Sequence, residues 1–218
     1  MAVRRFNDLS LTYVLNVPSG KADDAAMPLV FCMHGRGADA NDLAELAPLI
    51  DDGCRWVFPN APKPFEAAPG MTFGFTWFDG WPAERSSIVN SRNLLLRFID
   101  EILARYPTPK GKVIVSGFSQ GGLMAIDVGF RTKQTIAGIV VMSGAVYEED
   151  LTPFNPRVPV LMVHGTQDDM IPVLVAHRAR RVLEHHGVKP EYHEFPMGHA
   201  VTPESMAVVG EFIRKCLE

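Results

Sequence analysis

The pentad Gly117-Phe118-Ser119-Gln120-Gly121 sets a serine between two glycines in the pattern G-x-S-x-G. A serine hydroxyl is a weak nucleophile and needs a base within hydrogen-bond reach, itself oriented by a carboxylate. Downstream of Ser119 the chain offers His177, His185, His186, His193 and His199 as bases and the adjacent pair Asp168-Asp169 as acids. Attack on a carbonyl carbon leaves an oxyanion, which must find two N–H donors already aimed at it. One donor falls to the amide of Gln120, directly after the serine. The other must come from a loop after an earlier strand, here Met33-His34-Gly35-Arg36-Gly37, whose glycines allow close approach of the backbone. The chemistry these residues fit is acyl transfer to a serine and then to water.

Such groups work only if the fold delivers them to one place. The pentad follows the apolar run Val113-Ile114-Val115-Ser116 and opens an apolar helical segment, which is the strand–turn–helix setting of a nucleophile elbow. The turn is so sharp that residues two before and two after the serine must be small, and Gly117 and Gly121 meet that demand. Of the five histidines, His177, His185 and His186 fall on a helical pattern and His193 in a strand. His199 alone lies in a short glycine-containing loop between strand and helix. Asp168 and Asp169 both stand at a strand's carboxyl end, where ligand sites of open α/β sheets collect. Spacing does not choose between them, and capping of the following helix is the plain alternative use for either.

Short β-branched runs alternate with longer helical patterns, the rhythm of a mostly parallel sheet flanked by helices. Strands are predicted over 11–17, 29–33, 55–58, 112–116, 136–142, 158–163 and 191–195, and helices over 41–50, 88–106, 120–130, 172–186 and 203–217. The last helix has Thr202 as cap and Pro203 in its first turn. Residues 60–87 break the rhythm with Pro, Gly and aromatics, and read as a long functional loop beside the site.

At 218 residues with 47% hydrophobic and 21% charged, the chain suits one globular domain spanning 1–218. A net charge of −4 with scattered Lys and Arg gives nucleic acid or an anionic membrane nothing to hold. No apolar stretch is long enough to span a bilayer and the amino terminus lacks a secretory core, so the expected location is the cytoplasm. Cys32, Cys54 and Cys216 are odd in number and lack metal-ligand spacing, so buried thiols are expected rather than disulfides.

Taken together, His34-Gly35-Arg36-Gly37, Trp77-Phe78-Asp79, Gly117-Phe118-Ser119-Gln120-Gly121-Gly122, His164-Gly165-Thr166-Gln167-Asp168 with Pro172, and Gly198-His199 resemble the phospholipase/carboxylesterase family of α/β-hydrolases. The resemblance implies the α/β-hydrolase fold and a serine carboxylesterase acting on short-to-medium acyl esters through an acyl-enzyme, with no cofactor and no metal. It assigns Ser119, Asp168 and His199 as the triad, and the amides of Arg36 and Gln120 as oxyanion donors. Trp77, Phe78, Met170, Ile171 and Val201 are the expected substrate walls. Arg36 stands where the family often has leucine, which argues against a long apolar acyl groove. An acyl thioesterase or lysophospholipase-like hydrolase shares the same chemistry and stays open. A non-catalytic small-molecule receptor would normally lack a triad member, and a dehalogenase or dienelactone-type hydrolase would carry Asp or Cys at position 119. The partner expected is a small-molecule ester, with a homodimer left open.

Overall fold

The continuous apolar runs become the middle of one eight-stranded sheet. The structure, a computed structural model, describes residues 2–45, 50, 53–80, 83–147 and 157–218. The sheet strands are β1 (Ala2–Phe6), β2 (Tyr13–Val17), β3 (Leu29–Met33), β4 (Arg55–Pro59), β7 (Val113–Phe118), β8 (Gly138–Met142), β9 (Val160–Gly165) and β10 (Glu191–Phe195). They lie in the order β1-β2-β4-β3-β7-β8-β9-β10. The pairings of β1 with β2 and of β2 with β4 are antiparallel, and those from β4 through β10 are parallel. The helices are α1 (Arg85–Arg105), α2 (Gln120–Gly129), α3 (Val173–His185) and α4 (Pro203–Leu217). This is the α/β-hydrolase fold.

Both faces of the sheet are covered, which is why its inner strands carry no polar alternation. Along β3, Leu29, Phe31 and Met33 enter one apolar cluster with Phe98 and Ile102 of α1, Leu123 and Val128 of α2, and Leu183 of α3. Val30 and Cys32 enter the opposite cluster with Met206, Val209, Phe212 and Ile213 of α4. Each such side chain contributes about 1.5–3 kcal/mol by leaving water. Every residue of α2 is buried, including its one charged side chain, Asp127. That carboxylate meets Arg92 Nε at 2.6 Å and Arg131 at 2.5 Å, as a buried charge requires. Thr202 caps α4 by accepting from Ser205 N–H while Ser205 Oγ accepts from Thr202 N–H, with Pro203 in the first turn.

Three expectations are corrected. Residues 60–87 are not one irregular loop: β5 (Lys63–Ala68) and β6 (Met71–Thr76) form an antiparallel hairpin there, and α1 already begins at Arg85. The helix expected over 41–50 is a run of turns through residue 45, and 46–49 lie outside the described residues. The predicted strands begin at residue 11, whereas an earlier one, β1, forms the edge of the sheet with Arg4 and Arg5 in it. Of the thiols, Cys32 and Cys54 are buried and Cys216 is half-buried. Burial pushes the Cys32 thiol up to about 12 and that of Cys216 to about 11.

Candidate active site

β7 ends in the elbow. Ser119 has φ 56° and ψ −119°, a backbone conformation that costs a non-glycine residue on the order of 1–3 kcal/mol. The turn brings surrounding backbone so close that a Cβ at Gly117 would stand 2.2 Å from Gly121 O, and one at Gly121 would stand 2.1 Å from Met33 O. The two glycines are therefore obligatory, and the second lets the elbow pack directly on the end of β3. Ser119 N–H donates to Met142 O at 2.9 Å, tying the turn to β8.

His199, in the loop between β10 and α4, reaches the serine from the side. Its Nε2 is 2.9 Å from Ser119 Oγ and its Nδ1 is 2.8 Å from Asp168 Oδ2. A carboxylate can only accept, so Nδ1 carries the proton and Nε2 presents its lone pair to the hydroxyl. Phe118 packs on the imidazole at 4.8 Å between centroids. The Asp168 side chain is fully buried, and its Oδ1 accepts from Met170 N–H at 3.0 Å and Ile171 N–H at 2.7 Å. His164 stands behind it, donating through Nε2 to Ile171 O at 2.8 Å. Asp169 is exposed. The capping role considered for it does not occur: the N-cap of α3 is Pro172, with no side-chain cap bond.

The loop after β3 faces the elbow. A Cβ at Gly35 would meet Phe118 and Ser119 side-chain atoms at 3.2–3.3 Å, so the peptide lies almost in contact with the serine. Gln120, the first residue of α2, has no helical acceptor for its N–H. Its side chain instead clamps the segment after β6: Oε1 accepts from Trp77 N–H at 3.0 Å and lies 3.0 Å from Thr76 Oγ1, while Nε2 donates to Phe78 O at 3.0 Å. Trp77 is fully buried and donates its indole N–H to His34 O at 2.8 Å, and Ser91 Oγ donates to Trp77 O. The hairpin joins the loop through its backbone, with Gly37 N–H on Phe75 O and Phe75 N–H on Ala38 O, both at 2.8 Å.

Around Ser119 opens a cleft of ≈ 290 Å³, at the small end of small-molecule sites. Phe78, Met170 and Ile171 line it, together with Arg36 and Gln120. Trp77 and Val201, also expected as walls, do not: Trp77 braces the loop from within, and Val201 packs against the cluster under α4. Leu123, Ala145 and Asp42 are lining residues that sequence reading missed. The Asp42 carboxyl is held above its usual range by burial and by Asp39. Only the position of residues 123 and 145 just after the elbow and after β8 could have hinted at them. A second groove adjoins the first, sharing Arg36, Phe78 and Gly80 with it. Among the described residues no group of His, Cys, Asp and Glu could hold a metal ion, and no helix is long and apolar enough to cross a membrane.

Comparison with known proteins agrees with this architecture. Acyl-protein thioesterase 1 of Saccharomyces cerevisiae is 25% identical over 222 aligned positions, covering 91% of this chain and 96% of its own. Carboxylesterase SOBER1 of Arabidopsis thaliana is 27% identical over 178, covering 75% of this chain and 77% of its own. The crystal structure of esterase PE8 matches with a TM-score of 0.81 at 29% identity, over 93% of this chain and 99% of that one. A carboxylesterase from Mesorhizobium loti gives 0.81 at 19% identity over 97% and 98%, a likeness of fold alone. Residues 17–217 match the phospholipase/carboxylesterase family. With that match spanning nearly the whole chain, the protein belongs to the phospholipase/carboxylesterase family, hydrolases built on the α/β-hydrolase fold.

Proposed function

We propose that this chain is a serine hydrolase of short-to-medium acyl carboxylic esters, working through an acyl-enzyme. The observation that carries the reading is the unbroken relay Ser119 Oγ, His199 Nε2, His199 Nδ1, Asp168 Oδ2, with contacts of 2.9 and 2.8 Å. Ser119 Oγ attacks the ester carbonyl as His199 Nε2 takes its proton, and Asp168 holds the resulting imidazolium. The amides of Arg36 and Gln120 receive the oxyanion; neither donates to another described group. The C–O bond then breaks, His199 returns the proton to the leaving alcohol, and water repeats the sequence on the acyl-serine. The strained backbone of Ser119 and the full set of three relay side chains speak against a receptor that binds without turnover.

A fluorophosphonate should add once, to Ser119, and nitrophenyl esters of increasing acyl length should be hydrolysed with a preference for the shorter ones. Labelling elsewhere, or no ester turnover, would sink the assignment. A thioester run in the same panel tests the second reading, favoured by the relative named acyl-protein thioesterase.

Chain-length preference follows from Arg36. Its side chain is exposed, lies over the Phe65 ring with Cζ 5.4 Å from the centroid, and borders both the cleft and the adjoining groove. An acyl chain extending past Phe78 must displace water from this cation, at a cost that grows with the apolar surface brought against it. Arg36→Leu should therefore raise kcat/KM for long esters relative to short ones, and leave the short-ester rate within about threefold. A chain-length profile identical to that of the unsubstituted protein would remove Arg36 from the acyl path.

A further inference from the structure

The peptide joining Gly35 to Arg36 has no backbone preference of its own to hold it, since glycine stands at 35 and again at 37. Hydrogen bonds must therefore fix which way it faces. Its carbonyl accepts from His34 Nδ1–H at 2.7 Å, with Ala38 N–H a longer second donor at 3.3 Å. In a trans peptide the N–H points opposite to the C=O. Anchoring Gly35 O on the imidazole therefore turns the Arg36 N–H the other way, to the side where Gly35, Arg36 and Ser119 line the cleft.

The imidazole is itself fixed. Its Nε2 accepts from Ala61 N–H at 3.0 Å, so the proton must sit on Nδ1, the nitrogen facing Gly35 O. The ring is 1% exposed, packs against Trp77 at 5.4 Å, and does not border the cleft. Burial pushes its pKa down to about 4, which keeps both nitrogens in these roles at neutral pH. Trp77, which locks the His34 carbonyl through its indole, is held in turn by the side chain of Gln120. The two amides assigned to the oxyanion are thus tied together through the side chains of His34, Trp77 and Gln120, of which His34 and Trp77 do not border the cleft.

We propose that His34 is a positioning residue of the esterase: through the bond from Nδ1–H to Gly35 O it presents the Arg36 N–H to the oxyanion. The inference rests on the serine-hydrolase reading above and adds a residue that no step of that reading uses. It separates from simple core filling because the two nitrogens can be removed one at a time. Asparagine puts its amide nitrogen near the place of Nδ1 and keeps a donor for Gly35 O. Glutamine reaches the place of Nε2 and keeps an acceptor for Ala61 N–H. Leucine keeps neither.

The test begins with fluorophosphonate labelling of the unsubstituted protein; failure at Ser119 overturns the serine reading, and His34 with it, before any variant is made. With labelling established, His34→Leu and His34→Gln should lower kcat for a short ester by about 10- to 100-fold with KM within about threefold. His34→Asn should stay within about fivefold of the parent kcat. Affinity for an alkyl boronic acid, which forms a tetrahedral anion on the serine, should fall in step with kcat across the series. If the leucine variant does not fold, the contrast between Asn and Gln decides alone. Equal kcat for the Asn and Gln variants, or boronate affinity unchanged while kcat falls, overturns the proposal.

Discussion

Ser119→Ala is expected to lower kcat/KM for a nitrophenyl ester by about three orders of magnitude or more, while the protein still folds and still binds ester. The relay contains no second nucleophile. What remains without the hydroxyl is whatever the oxyanion amides and binding alone can do for water. Alanine must adopt the same φ of 56° as the serine, so the strain at the elbow is unchanged and the melting temperature should stay within a few degrees. The variant should also lose all reaction with fluorophosphonate. An alanine variant keeping most of the activity would transfer the chemistry to another residue.

The adjacent aspartates should behave oppositely, and the backbone says why. Asp168 Oδ1 accepts two N–H groups, from Met170 and Ile171, and Oδ2 faces His199. In Asp168→Asn the single amide oxygen must stay with the two N–H donors, which turns the NH₂ toward the imidazole. Nδ1 then has to accept, the ring proton moves to Nε2, and the serine loses its base. Turnover should fall by about three to four orders of magnitude with KM little changed. Asp169 is exposed and makes no hydrogen bond or ion pair with the described residues, so Asp169→Asn should leave turnover within about twofold and stability within about 0.5 kcal/mol. Kinetics and melting curves on both variants check this. A dead Asp169→Asn beside an active Asp168→Asn would overturn the relay as written.

The groups on parallel strand ends were legible because their local constraints are written in residue type. Gly117 and Gly121 announce an elbow since no Cβ fits there, and His199 stood apart from four histidines that fall on helix or strand patterns. The inner strands were legible because burial on both faces leaves an unbroken apolar run. β1 was missed for the opposite reason: an edge strand keeps polar residues, and Arg4-Arg5 hide its period. The hairpin β5–β6 was missed because most of its residues are exposed, so it carries almost no hydrophobic signal, while Pro64, Gly70 and Gly74 read as breakers. Trp77 and Phe78 looked alike as neighbouring aromatics, yet one turns its indole inward to His34 O and the other faces the cleft. Neither that difference nor the orientation of the His34 ring is encoded locally; both depend on where the hairpin returns the chain.

The hairpin divides into a base that cannot vary and a tip that can. At the base, Gly74 has φ +55°, and a Cβ there would stand 2.4 Å from both Gly37 O and Ala38 O, so the register against the loop after β3 admits no substitution. At the tip, Gly70 has nothing within 4 Å of where a Cβ would be, and Met71 and Phe73 lie 54% and 53% exposed. Evolution, or a protein engineer, can therefore lengthen, shorten or exchange residues 66–72 as a cassette, altering the groove beside the cleft, which Glu66 lines, without touching the residues that line the cleft around Ser119.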